Sequence, residues 1–437
     1  MNDNLTYFKS QFDQLDLAQQ NSPLREQRRS AFQLFSKLGL PTSKHEEWKY
    51  TRVSSLFNKP YPPDLHLSEA DITPADVASV RIPGHEQANT LIFVNGLYRA
   101  ALSTVRSSRL TVQPLEEAAS GPLAALVSKH FAHSAQYMHD GINALNTALV
   151  EGGLFIYVEQ GYAVEHPVYI YHISDARAAH HFAQPRSLIC VSERGSVQIV
   201  ETYHTLGAQD SFTNGVMEVV VEKDALLEYY KIQHDGPQAS QVSTTHIRQT
   251  GKSYTHALVI SLDGGLIRNN LNMVMDADHC ESHLYGLYCL EGKTHVDNHT
   301  VVDNTRPNCL SNELYKGIIG GQAEAVFNGK IFVRKDAQKT NAYQSNKNIL
   351  LTDEATVNSK PQLEIFADDV KCSHGCTVGS LDEEALFYLQ SRGISRQMAQ
   401  SLMLRAFALD ILEKIKLQPL RDYVDRLISA RLQISDQ

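Results

Sequence analysis

At 437 residues, 42% of them hydrophobic and 20% charged, the chain is long enough for about three structural units and too apolar for wholesale disorder. Its net charge of -9 comes from 49 acidic and 40 basic side chains that are interspersed, without the basic block that nucleic acid or an anionic membrane surface requires. No run of eighteen apolar residues suggests a membrane span, and six cysteines in so long a chain are too few for a disulfide scaffold.

The first residues, MNDNLTYFKSQFDQLDL, lack the apolar core of a secretory signal, so a cytoplasmic protein with free thiols is expected. Leu5, Phe8, Phe12 and Leu15 recur at helical spacing. A second helix is expected to be capped by Ser22, to carry Pro23 in its first turn, to bury Phe32, Phe35 and Leu38, and to stop at Gly39 and Pro41. The segment PTSKHEEWKYTRVSSL, with the single tryptophan Trp48, follows, and the proline-punctuated stretch from 60 to 90 reads as a linker. Residues 1–90 thus form an N-terminal helical region and linker.

From about 91 to 378 the pattern changes to short runs rich in Val, Ile, Tyr and Leu, such as Leu154 to Val158, Val168 to Ile173, Leu188 to Val191, Val197 to Val200, Val216 to Val221 and Leu226 to Tyr230. A helical insertion is expected over 116–149. Hairpin signals are scarce beyond Asp235-Gly236, Asp263-Gly264 and Asn328-Gly329, so a stacked parallel β-helix competes with a sandwich or a barrel. After 379 the helical period returns. Ser380 with Glu383 reads as a capping box ended by Gly393, and Ser395 caps a helix with the stripe Met398, Leu402, Ala406, Leu409 and Leu412. A last helix uses Leu420, Tyr423, Val424, Leu427 and Ile428. These helices, 379–437, read as a satellite unit with an apolar face for a partner or with every stripe used internally.

The segment with most chemistry is Asp368 to Thr377, DDVKCSHGCT. If extended, it places Cys372, His374 and Cys376 on one face, a row of thiol and imidazole donors suited to iron, zinc or copper(I). A closed structural zinc site needs four ligands, so the row suits transient binding or a cluster shared with another chain. The alternative is a core strand with buried cysteines and a satisfied histidine. His279, Cys280, His283, His295 and His299 around Asp297 are less specific. Gly251-Lys252-Ser253 ends like a phosphate loop, but His246 stands where its first glycine belongs. Hydrolase and dinucleotide signatures are also absent.

Pro361 to Ser395, PQLEIFADDVKCSHGCTVGSLDEEALFYLQSRGIS, resembles the C-terminal signature of the SufB/SufD family of iron–sulfur cluster assembly proteins. SKHEEWKYTRVSSL around Trp48 and AVFNGKIFV from Ala325 to Val333 are similar to that family in the same order, and the KCSHG and EEWKYT segments point to its SufD branch. The resemblance implies a mainly β fold, a right-handed parallel β-helix flanked by N-terminal and C-terminal helices. It further implies a non-catalytic scaffold that pairs with SufB through the β-helix and holds the ATPase SufC on its C-terminal helices. ATP-driven closure of SufC would then move the interface where sulfur and iron are assembled.

The family's functional Cys and His map onto Cys372 and His374, as ligands of a transient iron–sulfur cluster or of iron. Where the family commonly has alanine this chain has Cys376, either a third thiolate or a small buried replacement, with the latter favoured. No nucleotide is expected on this chain, a homodimer is expected as an option in isolation, and flavin binding is left open. The competing function is a self-contained metal-dependent or carbohydrate-active β-helix enzyme.

Overall fold

The computed structural model describes residues 3–58, 72–138 and 140–432. Part of the expected linker, 59–71, lies outside them. The chain is mainly β, and from Val168 onward its long strands are dealt alternately to two sheets. Leu226–His234, Tyr254–Asp263, Glu281–Leu290, Leu310–Ile319, Asn341–Leu350 and Lys371–Gly379 follow one another in the first sheet, all parallel. Ser211–Val221, Ala239–Gln249, Leu266–Met275, His295–Asn304, Glu324–Val333 and Thr356–Ile365 follow one another in the second. This is a parallel β-helix. Positions 281, 310, 341 and 371 stack in register although no residue type repeats among them, which is why the sequence shows no clean period.

Parallel neighbours need crossings, not tight hairpins. Asp263-Gly264 accordingly turns the chain from one sheet to the other, and Asn328-Gly329 lies inside a strand. The tight hairpin is instead made by Asn95-Gly96, a pair passed over in the sequence reading, between Asn89–Val94 and Leu97–Tyr98. Both residues have positive φ, 52° and 85°, as a turn matched to strand twist demands.

The lumen between the sheets is filled by residues such as Leu91, Ile170, Ile199, Leu227, Ala257, Leu284 and Phe327. The outer face of the second sheet is covered by the N-terminal helices Asp3–Ala18 and Arg25–Leu38 and by Gly141–Ala148, with Phe8, Phe35, Trp48 and Phe57 packed on Phe182, Phe212 and Val242. The second of these helices starts later than the Ser22 cap suggests: Ser22 Oγ accepts from Leu24 N at 3.3 Å and the helix begins at Arg25. Gly39 ends it at φ +66°.

The outer face of the first sheet is covered by Arg396–Leu412 and Gln418–Arg431. Leu404, Ala408, Ile411, Leu420, Val424 and Ile428 share one apolar core with Ile232, Leu258, Ile260 and Leu287. The last two helices are therefore no detached satellite. The last helix buries Leu420, Val424 and Ile428 as expected, whereas the stripe of Arg396–Leu412 shifts: Leu402 and Leu409 face outward, while Ala399, Leu404 and Ala408 face in. Asp382, not Ser380, caps Glu383–Ser391, accepting from Glu384 N at 2.9 Å and Ala385 N at 3.3 Å. Ser395 caps the next helix as its position suggests. Among the described residues no helix is long and apolar enough to cross a membrane.

Candidate functional site

Lys371–Gly379 is the last strand of its sheet, paired only with Asn341–Leu350, so one of its edges carries free backbone donors and acceptors. Thr356–Ile365 ends the other sheet in the same way. No helix caps this end of the β-helix among the described residues. The row Cys372, His374 and Cys376 lies on this last strand, in register with Ala342, Gln344 and Asn346.

The strand period holds, and the row faces the open lumen. Cys372 is half-buried against the lumen core, and burial raises its thiol pKa. Cys376 donates to Ser359 Oγ in the opposite sheet at 3.0 Å. His374, between them, is exposed. Cys376 is exposed too, so the reading of it as a small buried residue is wrong: no coil follows to cover it. The picture of a core strand with a satisfied histidine fails for the same reason.

Cys376 continues into a buried polar chain. Ser359 Oγ donates to Asn346 Oδ1 at 2.7 Å, Asn346 Nδ2 donates to Tyr288 Oη at 2.9 Å, and Tyr288 donates to Asn348 Oδ1 at 2.5 Å. Gly317 makes this possible, since a Cβ there would overlap both the Tyr288 ring and Asn348 Oδ1.

Alternate residues on a strand are about 6.6 Å apart, whereas thiolates on one zinc or iron sit within about 4 Å of each other. The row therefore offers its donors one or two at a time. Among the described residues no group of three or more His, Cys, Asp or Glu is gathered for a metal ion. Soft thiols and imidazole are donor types that suit iron or a sulfide cluster.

Of the other histidines singled out in the sequence, His283, His295 and His299 hold structure together. His299 lies between Asp297, at 3.2 Å, and Glu47, at 3.5 Å. His295 pairs with Glu324 and Thr51, and His283 with Glu281. Cys280 and Cys309 sit in adjacent coils, both donating to the Ala277 carbonyl, at 3.1 and 3.3 Å.

The two upstream segments singled out for resemblance, nearly 300 residues apart in sequence, meet on the outer face of the second sheet. Glu47 reaches Lys330 at 3.3 Å and accepts from Asn328 at 3.2 Å. The Trp48 indole lies 3.8 Å under the Arg268 guanidinium and donates to Asp140 at 3.2 Å. They border a cavity of about 580 Å³ with Tyr137, Asn272 and His299.

Sequence reasoning missed the polar residues in the lumen. Glu201 and Lys231 form a buried ion pair with His172 against the same carboxylate, and Glu313 is buried with its pKa pushed up to about 7 by desolvation. Their signal was present: charged residues alternate with inward apolar ones such as Ile199, Tyr229 and Tyr315 along the same strands.

Comparison with known proteins agrees with this architecture. Residues 172–407 match the SufBD core domain of SUF system FeS cluster assembly, and residues 2–170 match the SufBD protein N-terminal region. An iron-sulfur cluster assembly SufBD family protein of Synechocystis sp. is 30% identical over 428 residues, 94% of this chain and 92% of its own. The Escherichia coli iron-sulfur cluster assembly protein SufD is 29% identical over 413 residues, 93% of this chain and 92% of its own. A chloroplastic protein of Arabidopsis thaliana is 33% identical over 278 residues, 62% of this chain and 58% of its own. Matched in both regions in order, and aligned with relatives over more than nine-tenths of its length, the chain belongs to the SufBD family of iron–sulfur cluster assembly proteins.

Proposed function

We propose that the chain is a non-catalytic scaffold subunit of a cytoplasmic SufB–SufC–SufD complex, acting on the SufD side. The observation that carries this reading is the uncapped end of the β-helix, where an edge strand presents Cys372 and His374 beside free backbone hydrogen-bonding groups. Such an edge is suited to a second β-helix, here SufB, whose residues would complete the ligand set of a nascent cluster or of iron. The same edge suits pairing with a second copy when SufB is absent.

In this reading SufC binds the C-terminal helices. Phe387 and Tyr388 of Glu383–Ser391 are 73% and 58% exposed, and Leu402 and Leu409 of the next helix lie open as well. An apolar face of this kind on helices whose other face is already packed is suited to a folded partner. ATP hydrolysis belongs to SufC in this scheme, in keeping with the lack of a phosphate loop in this sequence. A carbohydrate-active enzyme is not favoured by the family or by a sulfur-rich donor row.

Co-purification with SufB and SufC followed by anaerobic reconstitution tests the reading. A stoichiometric complex that gains the brown colour of an iron–sulfur cluster is the expected result. Failure of this chain to join SufB and SufC would overturn it.

A further inference from the structure

The cavity of about 580 Å³ on the outer face of the second sheet has the size in which proteins hold small molecules. Its floor runs over three successive parallel strands, through Asn272 on the first, Val301 on the second and Asn328 on the third. Glu46–Trp48 crosses it, with Trp48 against Arg268 and Glu47 reaching Lys330. Trp48 and Asn328 thus bring together SKHEEWKYTRVSSL and AVFNGKIFV, two segments that the proposed cluster chemistry does not use.

Two side chains on this floor lack partners among the described residues. Asn272 is 1% exposed, and its Nδ2 atom is buried without a hydrogen bond. Asn328 is 6% exposed and donates through Nδ2 to Glu47 Oε2 at 3.2 Å, which fixes the amide and leaves Oδ1 buried and unpaired. Buried polar atoms in this state cost stability that a bound molecule can restore.

The charges around them are already matched. Arg268 pairs with Asp297 at 2.7 Å, Lys330 with Glu47 at 3.3 Å and Arg334 with Asp303 at 2.8 Å. Glu46 is held by Lys360, and Asp140 accepts from Trp48 Nε1 at 3.2 Å and from Ile142 N at 3.1 Å. The Tyr137 hydroxyl donates to Asp303 at 3.1 Å. An ion entering here would lose its water and find no free counter-charge, and a polyol would bury hydroxyls with nothing to pair them. One donor and one acceptor are what the floor leaves open, and the rings of Trp48, Tyr137 and Phe332 line the space around them.

The spacing sets the size of the occupant. Asn272 and Asn328 stand two strands and two residues apart, about 12 Å at ordinary strand geometry, and a hydrogen bond of about 2.9 Å at each end leaves about 6 Å between them. That is the width of two fused rings. We propose that this cavity binds an uncharged heteroaromatic lactam of purine size, whose carbonyl oxygen accepts from Asn272 Nδ2 and whose ring N–H donates to Asn328 Oδ1. The site lies on the side of the β-helix, away from the end that carries Cys372 and His374, and does not rest on their role.

The test titrates the full chain with hypoxanthine and follows the fluorescence of Trp48, the single tryptophan. It lines the cavity and is 1% exposed, so collisions from bulk solvent reach it poorly. A saturable change is expected, half-complete at or below ~1 mM, the range open to a ligand of this size. Purine, which keeps the fused rings and lacks the carbonyl, is expected to bind at least ~5-fold more weakly. Purine-6-carboxylate, which adds a charge, is expected to bind at least ~10-fold more weakly than hypoxanthine. Asn272→Leu keeps the branched shape and removes the unpaired amide, so the free protein should melt no lower than the wild type and bind hypoxanthine at least ~10-fold more weakly. The comparison of the three ligands on the wild type decides the matter if Asn272→Leu does not fold. The absence of a saturable change, which would mean a cavity that holds water only, overturns the proposal. So does purine or its carboxylate binding as tightly as hypoxanthine, or undiminished hypoxanthine binding by a folded Asn272→Leu.

Discussion

Lys231 Nζ lies 3.6 Å from Glu201 Oε2 inside the lumen, and His172 Nε2 lies 2.9 Å from Oε1 of the same carboxylate. Burial alone would raise the Glu201 pKa. The Lys231 charge and the hydrogen bonds from His172 and Tyr229 outweigh burial and hold it well below the usual carboxylate range. Burial lowers the Lys231 pKa in spite of Glu201. The cluster exists because each charge has the other. Lys231→Met therefore strands a buried carboxylate and should cost about 3–5 kcal/mol, read from urea unfolding. The double variant Lys231→Met/Glu201→Gln should recover most of that loss, and a double variant as unstable as the single one would contradict the pairing.

Glu313 behaves in the opposite sense. Its folded pKa, about 7, stands above the ordinary 4.5, so the folded chain holds a proton that the unfolded chain releases. Stability then falls as pH rises from 4.5 through 7, by about 3 kcal/mol in all. Glu313→Gln should melt well above the wild type at pH 8 and close to it at pH 4. Parallel stability–pH curves for the two proteins would show that the carboxyl is not shifted.

Gly329 and Gln344 share one space, which gives Asn328-Gly329 its meaning as a close approach inside a strand. Gly329→Ala should cost about 1–3 kcal/mol by overpacking, and Gly329→Ala combined with Gln344→Ala should be less damaging than the sum of the two. Thermal melts of the three variants check this. Strict additivity would mean that the two side chains do not meet.

The C-terminal helices serve two faces, and each predicts its own outcome. Leu404→Ala removes a residue shared with the first sheet and should destabilise the chain by about 2–5 kcal/mol. Phe387→Ser with Tyr388→Ser changes exposed residues only, so the melting temperature should hold while SufC binding is lost in a pull-down. Retained SufC binding by that double variant would move the ATPase site elsewhere. Removing everything after Gly379 is a poorer test, because it would expose Ile232, Leu258 and Leu287.

The sequence made the β-helix legible where strands were long and apolar on the lumen side, as in Val168 to Ile173 and Val216 to Val221. It also placed Cys372, His374 and Cys376 on one face through simple alternation. Burial was not legible, because whether a row of cysteines is covered depends on whether another coil follows, and no local pattern encodes that. The C-terminal stripe was misread for a related reason. Arg396–Leu412 is apolar on two sides, and only the sheet beneath it selects Leu404 and Ala408 over Leu402 and Leu409 as the buried set. Polar residues of the lumen, Glu201, Lys231 and Glu313, escaped attention because charge in a strand usually marks its solvent face.

The central claim, that Cys372 and His374 supply donors for a cluster or for iron, is tested most directly by anaerobic reconstitution of the complex carrying Cys372→Ser or His374→Ala, with cluster yield read from iron and sulfide content. Cys372→Ser keeps nearly the same volume with a much harder donor, and His374 is exposed, so neither change should weaken the fold. Both variants are expected to form the intact complex by gel filtration and to assemble clearly less cluster than the wild type. Wild-type cluster yield in both, at equal complex recovery, would contradict the account and reduce the row to surface residues of an edge strand.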